Sequence, residues 1–175
     1  MLTLRRYFAN VIVGVLPPTR LYSLKAAIWR AAGVDISSSA RLVSSVRIWT
    51  SGPVSIGDDT FLGHEVMIVG GDAAIRIGAR CDLAPRVLLV TGSHLEGCAD
   101  RAAGPGVSYP IAINDGVWIG ASSTVLGNVE IGSGTVIGAA SLVNKSVAPQ
   151  MIAAGTPCRI IRSRSDVSKH DAESA

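Results

Sequence analysis

The fold is decided by residues 113–143, which read INDGVWIGASSTVLGNVEIGSGTVIGAASLV. Every sixth residue of this stretch is a branched aliphatic, and the positions are Ile113, Ile119, Val125, Ile131, Ile137 and Val143. Glycine often follows the aliphatic, and a small or branched residue stands four positions after it. A sustained period of six is required neither by an α-helix, whose period is about 3.6, nor by an ordinary strand, whose period is 2.

The same period extends upstream of this stretch, with two short slips between its blocks. The further positions, all Ile or Leu, are Ile36, Leu42, Ile48, Ile56, Leu62, Ile68, Ile77, Leu83 and Leu89. A parallel β-helix explains this pattern, because each hexad forms one short strand and a corner and the aliphatic points inward. We expect the glycine after the aliphatic to relax the turn.

Composition limits the class of protein. The chain has 175 residues, of which 48% are hydrophobic and 17% are charged, and this balance excludes a disordered chain. Its longest apolar run, residues 7–16, is half the length of about 20 residues that a spanning helix needs. Residues 17–20 do not resemble a signal-peptide cleavage site. Three cysteines without CxxC spacing indicate reduced thiols in a cytoplasmic protein.

Basic charge is concentrated at the N-terminus. Residues 1–33 contain five basic side chains and no acidic one, whereas the whole chain carries a net charge of only +3. No aromatic stacking platform accompanies these charges, which argues against nucleic-acid binding. The pattern predicts helices over 2–16 and 18–32, the second with Leu21, Leu24 and Ile28 on one face and Gly33 as its C-cap. This segment either caps the coil or makes weak contact with an anionic membrane surface.

We therefore divide the chain into three parts. Residues 1–33 form a helical segment, residues 34–162 form the β-helix, and residues 163–175 form a polar tail that is expected to fray. The period lapses at residues 92–110, where Arg101 would occupy an inward position. This lapse predicts a loop that leaves the coil, and a long loop in a regular fold is usually functional.

These repeats resemble those of the hexapeptide-repeat acyltransferases. The resemblance implies a left-handed triangular β-helix of about five to six coils, and acetyl-CoA as co-substrate with no permanently bound cofactor. A triangular coil exposes flat faces rich in aliphatic residues, and together with the apolar excess of the chain this predicts a homotrimer. Residues 91–94, Thr-Gly-Ser-His, resemble the T-G-x-H motif of the family's sugar O-acetyltransferases, such as the galactoside and maltose enzymes. In that motif the histidine is the catalytic base, and an imidazole can take a hydroxyl proton at neutral pH. The resemblance therefore assigns His94 as general base.

Two further blocks resemble the family's donor site. Residues 109–121 look like the motif P-I-x-I-G-x-x-V-W-I-G-[AS], which implies that Trp118 lies beside the thioester and that the Ala121 N–H faces the reacting carbonyl. Residues 137–145 and 153–162 look like the coenzyme A cradle of the family. The residues that the resemblance assigns to coenzyme A are Ala139, Asn144, Lys145, Arg159 and Arg162. Three of these are cations that suit a polyanion, although bare charges also occur on solvated faces.

His64 and Asp72 match positions that contact the acceptor in the galactoside enzyme. Asp72 keeps the family's aspartate, whereas His64 stands where that enzyme has asparagine, so the acceptor of this chain need not be the same. Both residues could instead be ordinary exposed corner residues. The resemblance covers about residues 34–162.

The sequence thus predicts a CoA-dependent O-acetyltransferase that acts on a sugar or a surface-polysaccharide precursor. It is expected to be cytoplasmic, with a peripheral position at the inner membrane face left open. The alternatives are another acceptor (serine, an antibiotic, or the amino group of an amino sugar) and a non-catalytic or metal-binding β-helix. The γ-class carbonic anhydrases, which have this fold, need three histidine ligands. Here His94 and His170 stand 30 and 106 residues after His64, so the sequence predicts no metal site.

Overall fold

The computed structural model describes residues 2–164, which form two helices followed by a parallel β-helix. Residues 165–175, with His170 and most of the predicted tail, lie outside the described residues. The helices are α1 (Leu2–Gly14) and α2 (Tyr22–Ala31). Neither helix in the described part of the chain is long and apolar enough to span a bilayer.

Three stacked sheets form the walls of the coil. Sheet A contains β1 (Asp35–Ile36), β4 (Val54–Ile56), β7 (Ile75–Ile77), β12 (Ile111–Ile113) and β15 (Val129–Ile131). Sheet B contains β2 (Arg41–Leu42), β5 (Phe61–Leu62), β8 (Asp82–Leu83), β13 (Trp118–Ile119), β16 (Val136–Ile137), β18 (Met151–Ala154) and β19 (Arg159–Ser163). Sheet C contains β3 (Arg47–Thr50), β6 (Met67–Gly70), β9 (Leu88–Val90), β14 (Thr124–Leu126) and β17 (Leu142–Val143).

Successive strands visit the three sheets in turn, so the chain winds through about six coils. Within these three sheets all pairs are parallel except β18 with β19, which closes the C-terminal end of sheet B. The coil turns at three corners, each named after the two sheets that it joins. The BC corner comprises residues 43–45, 63–65, 84–86, 120–122 and 138–140, and the CA corner comprises residues 51–53, 71–74, 91–110, 127–128 and 144–146.

The period of six is confirmed as the core of the coil. All fifteen aliphatic positions of the pattern are buried, and none exceeds 3% exposure. The small residues four positions later, such as Thr60, Ser123 and Thr135, are buried as well. Their hydroxyls donate to backbone carbonyls of a neighbouring coil, for example Thr60 Oγ1 to the Gly78 carbonyl at 2.6 Å. The crowded interior therefore selects side chains that are either apolar or able to bond within the wall.

The repeated glycine serves a different purpose from the one expected. A Cβ on Gly57 would lie 2.6 Å from the carbonyl carbon of Gly78 in the next coil, and a Cβ on Gly120 would lie 2.5 Å from the nitrogen of Ala139. The left-handed conformation occurs two residues later, at Ala140 for example, where φ is 56°. Glycine is thus required by the close approach of successive coils, whereas the left-handed position of the turn is glycine only at Gly116 and Gly134 among the described corners.

The predicted loop at 92–110 is largely a β-hairpin. Strands β10 (Gly92–Cys98) and β11 (Arg101–Ser108) pair in antiparallel fashion, and the backbone N–H of Tyr109 donates to the Thr91 carbonyl at 2.9 Å. Arg101 is exposed rather than inward. The coil resumes in register, since Ile111 pairs with Ile75. The hairpin therefore projects from the CA corner without disturbing the wall.

Helix α1 packs its polar face on the first coil. The Asn10 carboxamide donates to the Ile48 carbonyl at 3.0 Å and accepts from the Ile48 N–H at 3.1 Å. The buried Arg6 guanidinium donates to the carbonyls of Thr50 (2.5 Å) and Gly52 (2.8 Å). These side chains take the place of a neighbouring strand along the open edge of β3, which explains why polar groups are buried there.

Helix α2 packs a face that the sequence did not indicate. Leu21 and Leu24 are exposed, whereas Lys25, Ala26 and Trp29 are buried. Lys25 Nζ donates to the carbonyls of residues 17 and 18 at 2.8 and 2.7 Å, and burial lowers the pKa of this ammonium. With Arg6 also buried, two of the five N-terminal cations are internal structural groups. Gly33 has a φ of +79° after the helix, as the predicted C-cap requires.

Candidate active site

An open cavity of about 540 Å³ lies at the CA corner, between the coil and the base of the hairpin. Its lining comes from three segments that are distant in sequence: Ser51; Gly71 and Asp72; and the two hairpin strands. Both His94 and Asp72 line it. The structure thus brings together the predicted general base and one of the two predicted acceptor residues.

His94 lies on β10, opposite Gly106 of β11. Its side chain is exposed, and within residues 2–164 the imidazole has no hydrogen-bond partner. The strand leading to it is anchored by Thr91, which is fully buried against Gly70. The start of the strand is therefore fixed to the coil. Because the ring has no partner there, both imidazole nitrogens are free to exchange a proton with a group in the cavity.

Asp72 is held by a residue that the sequence reasoning missed. Ser108 Oγ donates to Asp72 Oδ1 at 2.5 Å and accepts from the backbone N–H of Ala73 at 3.1 Å. This hydrogen bond is the main reason that the pKa of Asp72 lies below its usual range. Ser108 is 36 residues from Asp72 and lies on the returning strand of the hairpin. The local pattern carries no signal for it, because only the hairpin brings the two together.

The BC corner carries a second group of predicted residues, namely His64, Ala121 and Ala139. Ala121 and Ala139 occupy successive coils, and His64 lies two coils before Ala121. Backbone bonds join the coils, such as Arg86 N–H to the His64 carbonyl and Ala140 N–H to the Ala121 carbonyl, each 2.8 Å. Ala139 is exposed and Ala121 is half-buried, and on their two coils this corner carries only small side chains. The backbone N–H of Ala121 has no acceptor within the described chain.

His64 does not join Asp72 and His94 in the CA cavity. It lies on the BC corner, where its Nδ1 is 3.4 Å from Ser45 Oγ, and the adjacent Glu65 forms an exposed ion pair with Arg86. Within one chain, the two predicted acceptor residues are therefore on different corners.

The remaining predicted residues lie along sheet B and at the far end of the coil. Trp118 is 55% exposed on the outer face of β13, between Asp82 and Val136. Arg159 and Arg162 are exposed on β19, which also belongs to sheet B. Asn144 and Lys145 are exposed just after β17, at the CA corner.

The cysteines and the potential metal ligands are the groups that could support other chemistry. Cys81, Cys98 and Cys158 are free thiols, and burial raises the pKa of both Cys81 and Cys158. Cys98 is exposed on the hairpin, where its Sγ donates to Asp100 Oδ1 at 2.8 Å. Among residues 2–164, no three His, Cys, Asp or Glu side chains cluster in a way that could hold a metal ion.

Residues 110–145 match the family model described as bacterial transferase hexapeptide (six repeats). The chain is 38% identical over 117 residues to the galactoside O-acetyltransferase of Escherichia coli K12, covering 67% of this chain and 57% of the relative. It thus spans little more than half the length of that relative. It is also 31% identical over 148 residues to the provisionally named colanic acid biosynthesis acetyltransferase WcaF of the same strain, covering 84% of this chain and 79% of WcaF.

Solved structures agree with the fold. A hexapeptide-repeat acetyltransferase from Vibrio cholerae, determined with acetyl coenzyme A, superposes with a TM-score of 0.69 at 27% identity. The match covers 93% of this chain and 86% of that one. The periodic core, the projecting hairpin and these similarities lead to one conclusion. The chain belongs to the hexapeptide-repeat acetyltransferase family.

Proposed function

We propose that the protein transfers the acetyl group of acetyl-CoA to a hydroxyl of a sugar or a surface-polysaccharide precursor. The carrying observation is the unpartnered His94 imidazole in an open cavity beside Asp72. The sugar acceptor is supported by the galactoside O-acetyltransferase and by WcaF. Acetyl-CoA and three free thiols favour a cytoplasmic location.

The reaction proceeds by direct transfer. His94 takes the proton of the acceptor hydroxyl as the oxygen attacks the thioester carbonyl, and a C–O bond forms. The C–S bond then breaks, coenzyme A leaves as a thiolate, and the His94 imidazolium returns the proton to that sulfur. The free N–H of Ala121 is suited to stabilise the oxyanion formed between these steps. No acyl-enzyme is needed.

The other residues serve binding. Asp72 and His64 contact the acceptor, and the ring of Trp118 packs beside the thioester. Coenzyme A lies along the small residues of the BC corner, including Ala139, with Asn144 beside it. Lys145, Arg159 and Arg162 meet its phosphates, since all three are exposed and a polyanion needs dispersed cations.

A homotrimer completes this site between copies. The outer face of sheet A is polar, with Asp35, Arg76 and Glu130, whereas that of sheet C is apolar, with Met67, Leu88, Val90, Leu126 and Leu142. We infer that sheet C faces the three-fold axis. Because sheet C is bounded by the BC and CA corners, a closed ring places the CA corner of one copy beside the BC corner of the next. His94 then meets Ala121 and Ala139 of the neighbouring copy.

The proposed activity is tested by measuring coenzyme A release from acetyl-CoA against a panel of acceptors. Galactosides, other sugars and nucleotide sugars are compared with serine, chloramphenicol and amino sugars, and the acetylated position is located by NMR. We expect turnover with one or more sugar hydroxyls. Turnover with serine or chloramphenicol alone, or acetylation only at an amino group, would contradict the O-acetylation of a sugar.

A further inference from the structure

Helix α1 has its apolar residues on the wrong side for a globular protein. Its buried residues are Arg6, Ala9, Asn10 and Val13, and the two polar ones bond to the backbone of the first coil. The large apolar residues of the helix, and Val15 just after its end, point to solvent with exposures between 48% and 81%. They are Leu4, Tyr7, Phe8, Val11, Ile12 and Val15. An amphipathic helix normally turns such residues toward the core.

These six residues form one continuous surface, which we call the apolar stripe. At about 100° per residue, the residues of the stripe that lie on the helix cover about 140° of its circumference, opposite the buried face. The ring of Tyr7 lies 5.6 Å from that of Phe8 and 6.3 Å from that of Trp49 on the first coil, measured between centroids. The stripe therefore combines aliphatic residues with an aromatic group at its edge.

The charge around the stripe is of one sign. Residues 2–33 contain no acidic residue, and Arg5, Arg20 and Arg30 remain exposed although Arg6 and Lys25 are buried. The helical angle places Arg5 at the edge of the stripe, where its guanidinium can reach outward from an apolar surface. An apolar face flanked by arginines fits the interface of an anionic bilayer, where apolar chains lie beneath negatively charged headgroups.

We propose that α1 lies on an anionic lipid bilayer, with the apolar stripe inserted at the level of the headgroups. The helix is already fixed to the coil by Arg6 and Asn10, so binding requires no ordering of a free segment. In the proposed trimer the coils run along the three-fold axis and point the same way, so three stripes share one end of the assembly. That reinforcement rests on the proposed function, but the stripe belongs to each chain alone.

Sedimentation of the full chain with vesicles tests this proposal. We compare vesicles of phosphatidylcholine and phosphatidylserine with vesicles of phosphatidylcholine alone, and expect binding chiefly to the former. Replacing two exposed stripe residues, Phe8→Ser with Ile12→Ser, should lower the partition coefficient at least tenfold. The matched control is Ile161→Ser, which removes an equally exposed apolar side chain at the opposite end of the coil and should bind as wild type does.

A charge pair separates headgroup attraction from net charge. Arg5→Gln should lower binding about fivefold, whereas Arg76→Gln, an exposed arginine on sheet A, should leave it unchanged. Equal binding by wild type and the Phe8/Ile12 variant, or no binding to either vesicle, overturns the proposal. A smaller oligomer for that variant in light scattering also overturns it, because a second copy of the chain would then cover the stripe.

Discussion

The two corners that bound sheet C differ in how strictly they keep the repeat. The BC corner runs through every coil without interruption, and on two of its coils the side chains are all small, as at Ala121 and Ala139, with a backbone bond between the coils. The CA corner is interrupted by the hairpin and collects groups that exchange or accept protons, above all His94 and Asp72. Regular repetition suits the surface that we propose for coenzyme A, whereas the proposed proton transfer lies where the repeat is broken.

The largest effect that would sharpen this comparison is expected at the interrupted corner. His94→Ala should lower kcat by about 10²–10⁴ and leave acetyl-CoA binding nearly unchanged, because it removes the proton acceptor and no part of the donor surface. Steady-state kinetics and calorimetric titration with acetyl-CoA measure the two quantities. His64→Ala is the histidine control, and its main effect should be on the KM for the acceptor. Near wild-type turnover of His94→Ala would remove this corner from the chemistry.

The opposite signature is expected at the regular corner. Ala139→Leu places a larger side chain on the surface proposed for coenzyme A, so it should raise the KM for acetyl-CoA about tenfold with little change in kcat. Ala79→Leu is a matched control, because Ala79 occupies the equivalent position, two residues after an inward isoleucine, between sheets A and B. Equal effects of both substitutions would indicate a general strain of the coil and no donor surface.

Mixed trimers test whether the two corners act across copies. Co-expression of His94→Ala with Ala139→Leu chains produces some interfaces that carry both wild-type corners. At low acetyl-CoA, random assembly should restore about a quarter of wild-type activity, because that fraction of neighbouring pairs has the right order. No gain over the separate variants would place each site within one chain, and a monomer in light scattering would exclude the ring itself.

The smallest effect concerns the contact that fixes Asp72. Ser108→Ala removes the hydrogen bond that lowers the pKa of Asp72, so NMR titration should show that pKa rising toward its usual range. A carboxyl with a lowered folded-state pKa adds stability above its unfolded pKa, and this contribution is lost as the pH falls through the folded value. As the pH is lowered below 5, the free energy of unfolding of Ser108→Ala should therefore decrease less than that of the wild type. The control is Ser93→Ala, which lies in the same cavity and should leave the titration of Asp72 as in the wild type.

The sequence predicted the coil well because its signal is repeated. The fifteen aliphatic positions all occupy the same environment, the interior of the coil, and each of them is buried. It also predicted where the coil is interrupted, and that His94 lies in the interruption, because a lapse in a strict pattern is itself a signal. It did not predict the contact of Ser108 with Asp72, which depends on how the hairpin returns to the coil.

The helices were the hardest part to predict in detail. Their existence and rough limits were correct, but Leu21 and Leu24 are exposed while Lys25 and Arg6 are buried. Apolar periodicity assumes that a helix packs on an apolar surface. Here Arg6 bonds to the edge of the first coil, and Lys25 bonds to the carbonyls of residues 17 and 18 between the two helices. These backbone groups need polar partners, so the buried faces follow hydrogen bonding.

The covered ends of the coil also prevent one coil from stacking on the end of another. A stack of parallel strands has an open edge at each end, and such edges invite end-to-end polymerisation into fibres. The Asn10 carboxamide occupies both backbone groups of Ile48 at one end. At the other end β19 pairs with β18, and the backbone N–H of Cys158 donates to the Leu142 carbonyl at 2.8 Å. The length of this solenoid is therefore limited by specific side chains and a reversed strand, and a finite molecule results where an endless repeat would otherwise grow.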